Sequence, residues 1–364
     1  MVLTSDHASR QGFKKVFLHV SSGKHRLALE ANVTAVRERD AESNQAGRTP
    51  IDYFQPSGET GMTAGFTEQD VVSQEGRTFV ITGANTGLGY EAARVLSANG
   101  ARVIIACRSE EKANAAIEAI TEVNGDVDLS YVPLDLGDLA SVRACVDQLL
   151  GEDQIDVLIN NAGIMVPPLE LTKDGFESQF GVNHLGPFAL TGLLLDKLEE
   201  GDEPRIINTS SIAHRSGKMD FNDINAERSY NRIKRYAMSK LANLLFSYEL
   251  QRRLEAADMT TISVACHPGI ANTELARYLP GFMSDAFSVL AGPLFNTAAS
   301  GAWPTLCAAT ATTVQGGEYY GPAKRRETAG PAVKAKSTRR SRDEELADRL
   351  WQLSIEMTGI DPGI

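Results

Sequence analysis

The most constraining stretch of the sequence is a short apolar run that leads through three glycines into a helical pattern. Residues Thr78–Thr82 read as a buried strand, and apolar side chains recur at helical spacing up to Leu96. The glycines between them permit a tight turn, and the helix directs its free N–H groups and positive dipole at that turn. This arrangement predicts a binding site for the pyrophosphate of a dinucleotide. The turn residues expected at the cofactor are Gly83, Asn85, Thr86, Gly87, Leu88 and Gly89.

The pattern then alternates between apolar strands and helices. Further strands are predicted at residues 101–107, 129–135, 156–160, 205–211 and 260–266. An amphipathic helix over residues 343–358 is predicted to close the chain, with Leu346, Leu350, Trp351 and Leu353 facing inward. Such alternation is typical of a Rossmann-type, doubly wound parallel sheet with helices on both faces. We therefore predict an α/β fold in which a single domain covers residues 70–364.

The end of the second strand indicates which dinucleotide binds. In NAD-binding proteins of this fold, a carboxylate at this position binds the 2′-hydroxyl of the ribose. Here the position holds Cys107, followed by Arg108, whose guanidinium suits a 2′-phosphate. The alternative is that Arg108 is a solvated residue at the start of the next helix. We predict NADP(H) in preference to NAD(H).

Two further strand ends carry residues that suit a cofactor crevice. Asp135, with Leu136 beside it, can accept a hydrogen bond from the adenine amino group; alternatively it caps the next helix. After the fourth strand come Asn161, Ala162 and Gly163. Small side chains and an amide at the carboxyl end of a strand are what a crevice beside a cofactor requires.

Tyr236 and Lys240 stand four residues apart at the start of a predicted helix, so their side chains share one face. A tyrosine hydroxyl has a pKa of about 10 in model peptides, and a nearby ammonium lowers that pKa by stabilising the phenolate. The pair is therefore a candidate general acid/base. Because tyrosine and lysine at this spacing also occur on ordinary helices, the interpretation depends on the motifs around them.

Together these motifs resemble the short-chain dehydrogenase/reductase superfamily from about residue 77 to the end of the sequence. The glycine turn, the Asn-Asn-Ala-Gly run at residues 160–163 and the Tyr236/Lys240 pair occur together and in order. Within the superfamily, the chain most resembles the retinol-dehydrogenase-like and WW-domain-oxidoreductase-like branch. The stretches that carry this resemblance are residues 180–186, 220–225, 239–243 and 319–322.

The resemblance implies roles for two more catalytic residues. Ser211, the second of two serines that end the fifth strand, would hydrogen-bond the substrate oxygen, whereas Ser210 would point the other way because side chains alternate along a strand. Asn183 would interrupt its helix and hold a water in a proton relay with Lys240. Its alternative role is an ordinary helical asparagine that bonds to its own backbone.

The segment after the sixth strand is expected to bind the nicotinamide and to cover the substrate. By resemblance, Pro268 and Gly269 form the turn under the nicotinamide, Ile270 meets its carboxamide and Thr273 meets the phosphates. The resemblance also implies that residues 279–295 form a lid over the substrate, and their many large apolar side chains suggest an apolar substrate. The alternative is that this segment forms a contact between two copies of the chain, which would make the protein a homo-oligomer.

On this resemblance, the chain transfers a hydride between NADP(H) and the carbonyl or alcohol of a hydrophobic small molecule, such as a retinoid, steroid or lipid aldehyde. Tyr236 would be the general acid/base, and Lys240 would lower its pKa and bind the ribose. One alternative is an NAD-dependent epimerase or dehydratase, which shares the Tyr-x-x-x-Lys motif but differs in glycine spacing. Another is a dinucleotide-binding regulatory protein without turnover, against which the intact set of catalytic residues argues.

Composition excludes several other classes. The net charge of -11 argues against nucleic acid or an anionic membrane surface as the main partner. Four cysteines without a Cys-x-x-Cys motif argue against a metal site or a disulfide framework. The same cysteines read as reduced thiols, so we expect a cytoplasmic location. No apolar run approaches the roughly 20 residues of a membrane span, so we expect no integral membrane segment. Residues 1–69 are mostly polar, and we expect a disordered N-terminal extension.

Overall fold

The strands form where β-branched and other apolar residues concentrate, and the helices follow where small and amphipathic residues take over. The computed structural model describes residues 65–270 and 296–364, and every element named below lies within them. The strands are β1 Thr78–Thr82, β2 Arg102–Cys107, β3 Leu129–Pro133, β4 Val157–Asn160, β5 Arg205–Thr209, β6 Ile262–Cys266, β7 Tyr319–Lys324 and β8 Ala329–Lys334. The main helices are α1 Gly87–Ala98, α2 Glu110–Asn124, α3 Leu139–Leu149, α4 Gly186–Glu199, α5 Arg232–Ala256, α6 Ala298–Thr310 and α7 Glu344–Thr358.

The eight strands form one sheet in the order β3-β2-β1-β4-β5-β6-β7-β8. All neighbouring pairs are parallel except β7 and β8, which are antiparallel. The chain crosses from one half of the sheet to the other between β3 and β4, so Val80 of β1 lies between Ile104 of β2 and Leu158 of β4. In a doubly wound sheet, the crevice at such a reversal is where ligands bind, at the carboxyl ends of the strands. The predicted fold class is confirmed.

Helices cover both faces of the sheet, and the alternation of side chains along β1 shows how. Phe79 and Ile81 face a core that includes apolar residues of α1, α2 and α6. Val80 points the other way, into a core that includes residues of α3, α4, α5 and Trp351 of α7. Because both faces are buried, the strand reads as a continuous apolar run.

One helix begins earlier than the sequence predicts, and another is preceded by an irregular helical segment. Helix α5 starts at Arg232, where Asn231 caps it by accepting a hydrogen bond from Lys234 N, so Tyr236 lies in the second turn and not at the start. Ahead of α4, the chain forms a single helical turn at Ser178–Phe180 and then a π-helical turn at Gly181–Leu185. Such turns widen a helix locally and are frequent at functional sites.

The C-terminal part holds elements that the sequence did not predict. Helix α6 and the β7–β8 hairpin extend the sheet and its cover. The closing helix is confirmed, with Leu350 and Trp351 buried, but Leu346 and Leu353 are only half-buried at its margins.

The packed chain also includes residues 65–69, which the sequence assigns to the extension. The side chain of Phe66 is 3% exposed, and its backbone N and O both pair with Ala332 of β8 at 2.8 Å. The rest of the predicted extension lies outside the described residues. Among the described helices, none combines the length and the apolar character needed to cross a membrane.

Candidate active site

A cleft opens at the carboxyl ends of β1, β4, β5 and β6, at the reversal of the strand order. It encloses about 400 Å³ of empty space, including its open mouth. Its walls bring together residues that lie far apart in the sequence: Leu88, Asn161, Gly163, Ile164, Met165, Thr209, Ser210, Ser211, Tyr236, Lys240 and Pro268. The structure thus places the predicted catalytic pair, both serines and three of the predicted cofactor-binding segments around one space.

The glycine turn at one end of the cleft has the properties of an anion site. Gly87 adopts a left-handed backbone with φ 61°, and a Cβ at this position would project into open space. Helix α1 begins here, the side chain of Thr86 does not cap it, and its first turn carries no acidic residue. The first N–H groups of the helix are therefore free for a ligand, which fits the pyrophosphate of a dinucleotide. Asn85 and Leu88 lie in the same turn.

Gly89 and Asn161 join the glycine turn to the end of β4. A Cβ on Gly89 would lie 2.5 Å from Asn161 Nδ2, so only glycine fits there. Asn161 Nδ2 donates to the carbonyl of Thr82 at 2.8 Å, and the hydroxyl of Thr82 accepts from the backbone N of Asn161 and of Ala162. Contacts between Gly83, Asn161 and Ala162 therefore hold the glycine turn against the end of β4.

Tyr236 and Lys240 lie side by side on helix α5, facing the cleft. Lys240 Nζ lies 5.9 Å from the centre of the Tyr236 ring and donates to the carbonyl of Thr209 at 3.1 Å. Both residues are less than a tenth exposed. A Cβ on Gly163 would lie 3.0 Å from Asn183 Oδ1 and 3.5 Å from Lys240 Nζ, so this glycine leaves room for the amide of Asn183 beside the ammonium. A buried ammonium beside a phenol stabilises the phenolate, as a general acid/base at neutral pH requires.

The two serines after β5 have different surroundings. Ser210 is buried, and its hydroxyl donates to the backbone carbonyl of Lys240 at 2.7 Å. Ser211 is partly exposed at the cleft, and its Oγ accepts from Ala213 N at 3.2 Å. Because the Ser211 oxygen is only an acceptor in this hydrogen bond, its O–H group can still donate a hydrogen bond to a ligand.

Asn183 lies in the π-helical turn and reaches out of it. Its Oδ1 accepts from Ile164 N at 2.8 Å, and its Nδ2 donates to Ile164 O and to the hydroxyl of Ser239, both at 2.9 Å. The alternative of an asparagine bonded to its own helix is therefore wrong. The side chain instead fixes the loop after β4 against helix α5, one residue from Lys240. Its part in a water relay stays a prediction.

The turn after β6 is held from two other parts of the chain. Gly269 has φ 77°, and Ile270 N donates to Thr328 O at 3.0 Å. Asn296 donates from its Nδ2 to Pro268 O at 2.9 Å and from its backbone N to Ile270 O at 3.0 Å. Asn296 was not found from the sequence, where nothing connects it to a turn 28 residues away. Thr273 and the predicted lid at residues 279–295 lie outside the described residues.

The residues predicted for the adenosine end lie after β2 and β3. The side chain of Arg108 is exposed at the start of α2 and forms no hydrogen bond or ion pair with any described residue. Asp135 Oδ1 accepts from Gly137 N at 2.9 Å, and the cap of helix α3 is Asp138. Capping is thus not the role of Asp135. Leu136 is buried, with its backbone against Gly186.

The loop that carries Met165 is held by residues that sequence reasoning missed. Gln179 is fully buried; its Oε1 accepts from Val166 N at 2.9 Å, and its Nε2 donates to Arg232 O at 3.0 Å. Val166 has φ 47°, which is unfavourable for a β-branched residue. Its position is maintained by this hydrogen bond from the neighbouring helix. The loop and the start of α5 are thereby tied together at the cleft.

Two histidines near these motifs, His184 and His214, are both buried, and among the described residues neither belongs to a group of three potential metal ligands. Burial lowers the pKa of His184 to about 3, and its Nε2 lies 2.8 Å from the hydroxyl of Ser354. Burial also lowers the pKa of His214 to about 4, and its Nδ1 lies 2.6 Å from Ser211 O. A carbonyl only accepts, so the neutral ring of His214 carries its proton on Nδ1 and fixes the backbone of Ser211.

Comparison with known proteins shows the family to which the chain belongs. The family model of the short chain dehydrogenases matches residues 77–281. Human retinol dehydrogenase 12 is 41% identical over 294 residues, covering 79% of this chain and 88% of that protein. Human retinol dehydrogenase 13 is also 41% identical, covering 79% and 86%.

Solved structures agree with the fold. The crystal structure of an uncharacterized protein from Mycobacterium paratuberculosis is 40% identical, covers 83% of this chain and 100% of that one, and superposes with a TM-score of 0.69. L-sorbose reductase from Gluconobacter frateurii, solved with NADPH and L-sorbose, shares the fold at 19% identity, with a TM-score of 0.53 and coverage of 68% and 95%. With the fold, the cleft and these relatives in agreement, the chain belongs to the short-chain dehydrogenase family, in its retinol-dehydrogenase-like branch.

Proposed function

We propose that this oxidoreductase transfers a hydride between NADP(H) and the carbonyl or alcohol group of a hydrophobic small molecule. The observation that carries the proposal is the convergence of Tyr236, Lys240 and Ser211 on one cleft that also contains the glycine turn. A site that only sensed a dinucleotide would have no need of a buried lysine beside a tyrosine in the same cleft.

Each residue has a defined task in this reaction. Ser211 donates a hydrogen bond to the substrate oxygen and orients it, and Tyr236 gives a proton to that oxygen during reduction or takes it during oxidation. Lys240, held by the Thr209 carbonyl, stabilises the phenolate and reaches the cofactor ribose. Asn183 maintains the loop at Ile164 and Met165 that forms the wall of the cleft. The bound nicotinamide supplies or accepts the hydride.

A hydrophobic substrate is supported by the surface around the loop after β4. Leu169 and Ile233 are 47% and 67% exposed and flank a groove with Pro168 and Tyr230. This groove shares the loop of Met165 and the helix of Tyr236 with the cleft. The relatives named retinol dehydrogenases favour the same substrate class.

NADP(H) is supported by Arg108, whose guanidinium stands exposed and unpaired with any described residue after β2, where a carboxylate would select NAD. A guanidinium can offer two parallel hydrogen bonds to a phosphate. The NADPH bound to L-sorbose reductase is consistent with this choice.

The proposal is tested by a panel of hydrophobic aldehydes, ketones and secondary alcohols, each with NADPH, NADH and their oxidised forms, monitored by the absorbance of the reduced cofactor. We expect turnover of apolar aldehydes or alcohols. Tight dinucleotide binding without turnover of any compound would favour the regulatory alternative. Conversion of a substrate without net change in the cofactor would favour the epimerase alternative.

A further inference from the structure

The turn between β7 and β8 has an unusual backbone. Arg325, Arg326 and Glu327 are three consecutive residues in the left-handed region, with φ of 54°, 59° and 68°. Residues other than glycine rarely adopt this region, and such conformations persist only where surrounding contacts impose them. Strain of this kind is concentrated at functional sites.

The carboxylate of Glu327 contacts two basic side chains from different segments, a guanidinium and an imidazole. Its Oε2 accepts from the guanidinium of Arg215 and lies 3.3 Å from Nε2 of the buried His267. Burial raises the pKa of Glu327, but the contacts with His267 and Arg215 outweigh that effect and hold this pKa below its usual value. Both partners belong to segments that line the cleft: Arg215 lies in the turn Ile212–Ser216 after Ser211, and His267 precedes Pro268.

The orientation of His267 follows from its other nitrogen. Gly269 N donates to His267 Nδ1 at 3.2 Å, so in the neutral ring the proton is on Nε2, the nitrogen that lies 3.3 Å from Glu327 Oε2. The imidazole therefore links the carboxylate to the backbone of the turn at Pro268. The next residue of the hairpin contributes directly, because Thr328 O accepts from Ile270 N at 3.0 Å. A Cβ on Gly269 would lie 2.4 Å from that same oxygen, so the two turns are in close contact.

From these contacts we infer that Glu327 is a positioning residue for the reactive end of the cofactor. Through His267 it fixes the turn at Pro268 and Gly269, and through Arg215 it fixes the segment that begins at Ser211. The segments that follow the neighbouring strands β5 and β6, which both line the cleft, are thereby held by one carboxylate. This inference rests on the proposed function, in which the nicotinamide lies at these two strand ends and the pyrophosphate lies at the glycine turn.

The test compares two ligands in the full-length protein. NADPH contains the nicotinamide, whereas 2′-phospho-ADP-ribose contains the adenosine and pyrophosphate without it. We expect Glu327→Ala to weaken NADPH binding about tenfold and to lower kcat by a similar factor, because a charge-assisted contact is lost. Binding of 2′-phospho-ADP-ribose should stay within about twofold, since its contacts lie at the other end of the cleft. Glu327→Gln should recover part of the NADPH affinity, because its amide oxygen can still accept from Arg215 and stay in contact with His267.

Glu318 supplies the matched control. It is an acidic residue just before the same hairpin, and its carboxylate binds Lys334 and the hydroxyl of Tyr320 and none of the residues that line the cleft. Glu318→Ala and Glu318→Gln should leave the affinities for both ligands unchanged. Equal weakening of both ligands by Glu327→Ala, or no weakening of either, would overturn the positioning role. If the unmodified protein bound neither ligand, the proposed function would fail instead.

Discussion

The side-chain amide of Asn183 pairs with both backbone groups of Ile164, accepting from its N at 2.8 Å and donating to its O at 2.9 Å. The two residues belong to different segments, the π-helical turn before α4 and the loop after β4. The same amide reaches Ser239 on α5. One side chain thus joins three segments that meet at the cleft, and Ile164 and Met165 form part of its wall.

Replacing Asn183 with Ala should destabilise the protein and impair catalysis together. The mutation leaves the backbone groups of Ile164 without partners, which costs about 1–3 kcal/mol of the free energy of unfolding. Turnover should fall because the loop beside Lys240 is released. Asn124→Ala is the control: its amide also donates to a backbone carbonyl, that of Arg94, but away from the cleft. Chemical denaturation and kcat check both effects, and unchanged turnover in the Asn183 variant would contradict the role assigned to it.

Replacing Arg108 with Ala should remove most of the preference for NADPH. Charge-assisted hydrogen bonds to the 2′-phosphate are worth roughly 1.5–3 kcal/mol, so the unmodified enzyme should prefer NADPH about ten- to a hundredfold. The mutation should raise KM for NADPH and leave KM for NADH unchanged. Lys112→Ala, which removes an exposed positive charge from the same helix, should change neither. Equal kcat/KM for NADH and NADPH in the unmodified enzyme would refute the preference.

The stability of the fold should fall as the pH drops below about 6.5, the usual pKa of histidine in an unfolded chain. Burial lowers the folded-state pKa of His184 to about 3 and of His214 to about 4. Between those values and pH 6.5 the unfolded state binds more protons than the folded state. The stabilisation present above pH 6.5 is therefore lost progressively as the pH falls to the folded-state pKa. At pH 5, protonation of each histidine in the unfolded state should lower the free energy of unfolding by about 2 kcal/mol.

This pH dependence is measured by urea denaturation between pH 7 and pH 5. In His184→Gln the free energy of unfolding should fall less steeply with pH, whatever its absolute value. An identical slope in the variant and the unmodified protein would mean that His184 is not held neutral.

Local patterns explain why the parallel half of the fold could be predicted. A buried parallel strand reads as an apolar run, and β1, β2 and β4 all do. The hairpin was missed because β7 contains Gly321 and Pro322 and β8 contains Gly330 and Pro331, residues that normally argue against a strand. Pro304 inside α6 hid that helix in the same way.

The residues of the site likewise divide into those in local sequence motifs and those that contact distant segments. The glycine turn and the Tyr236/Lys240 pair could be found because each is a local motif with fixed spacing. Asn296, Gln179 and Glu327 could not, because each acts on a segment that is distant in sequence, and no pattern around them marks the contact. Tertiary structure alone brings Asn296 to the turn at Pro268.

The most direct test of the proposed chemistry is the turnover of Tyr236→Phe with NADPH and the best carbonyl substrate of the panel. This mutation keeps the ring beside Lys240 and removes the proton that the mechanism transfers. We predict that kcat falls by about 10²–10⁴ while the affinity for NADPH stays nearly unchanged. Retention of more than about half of the activity would contradict the assignment of Tyr236 as the general acid/base.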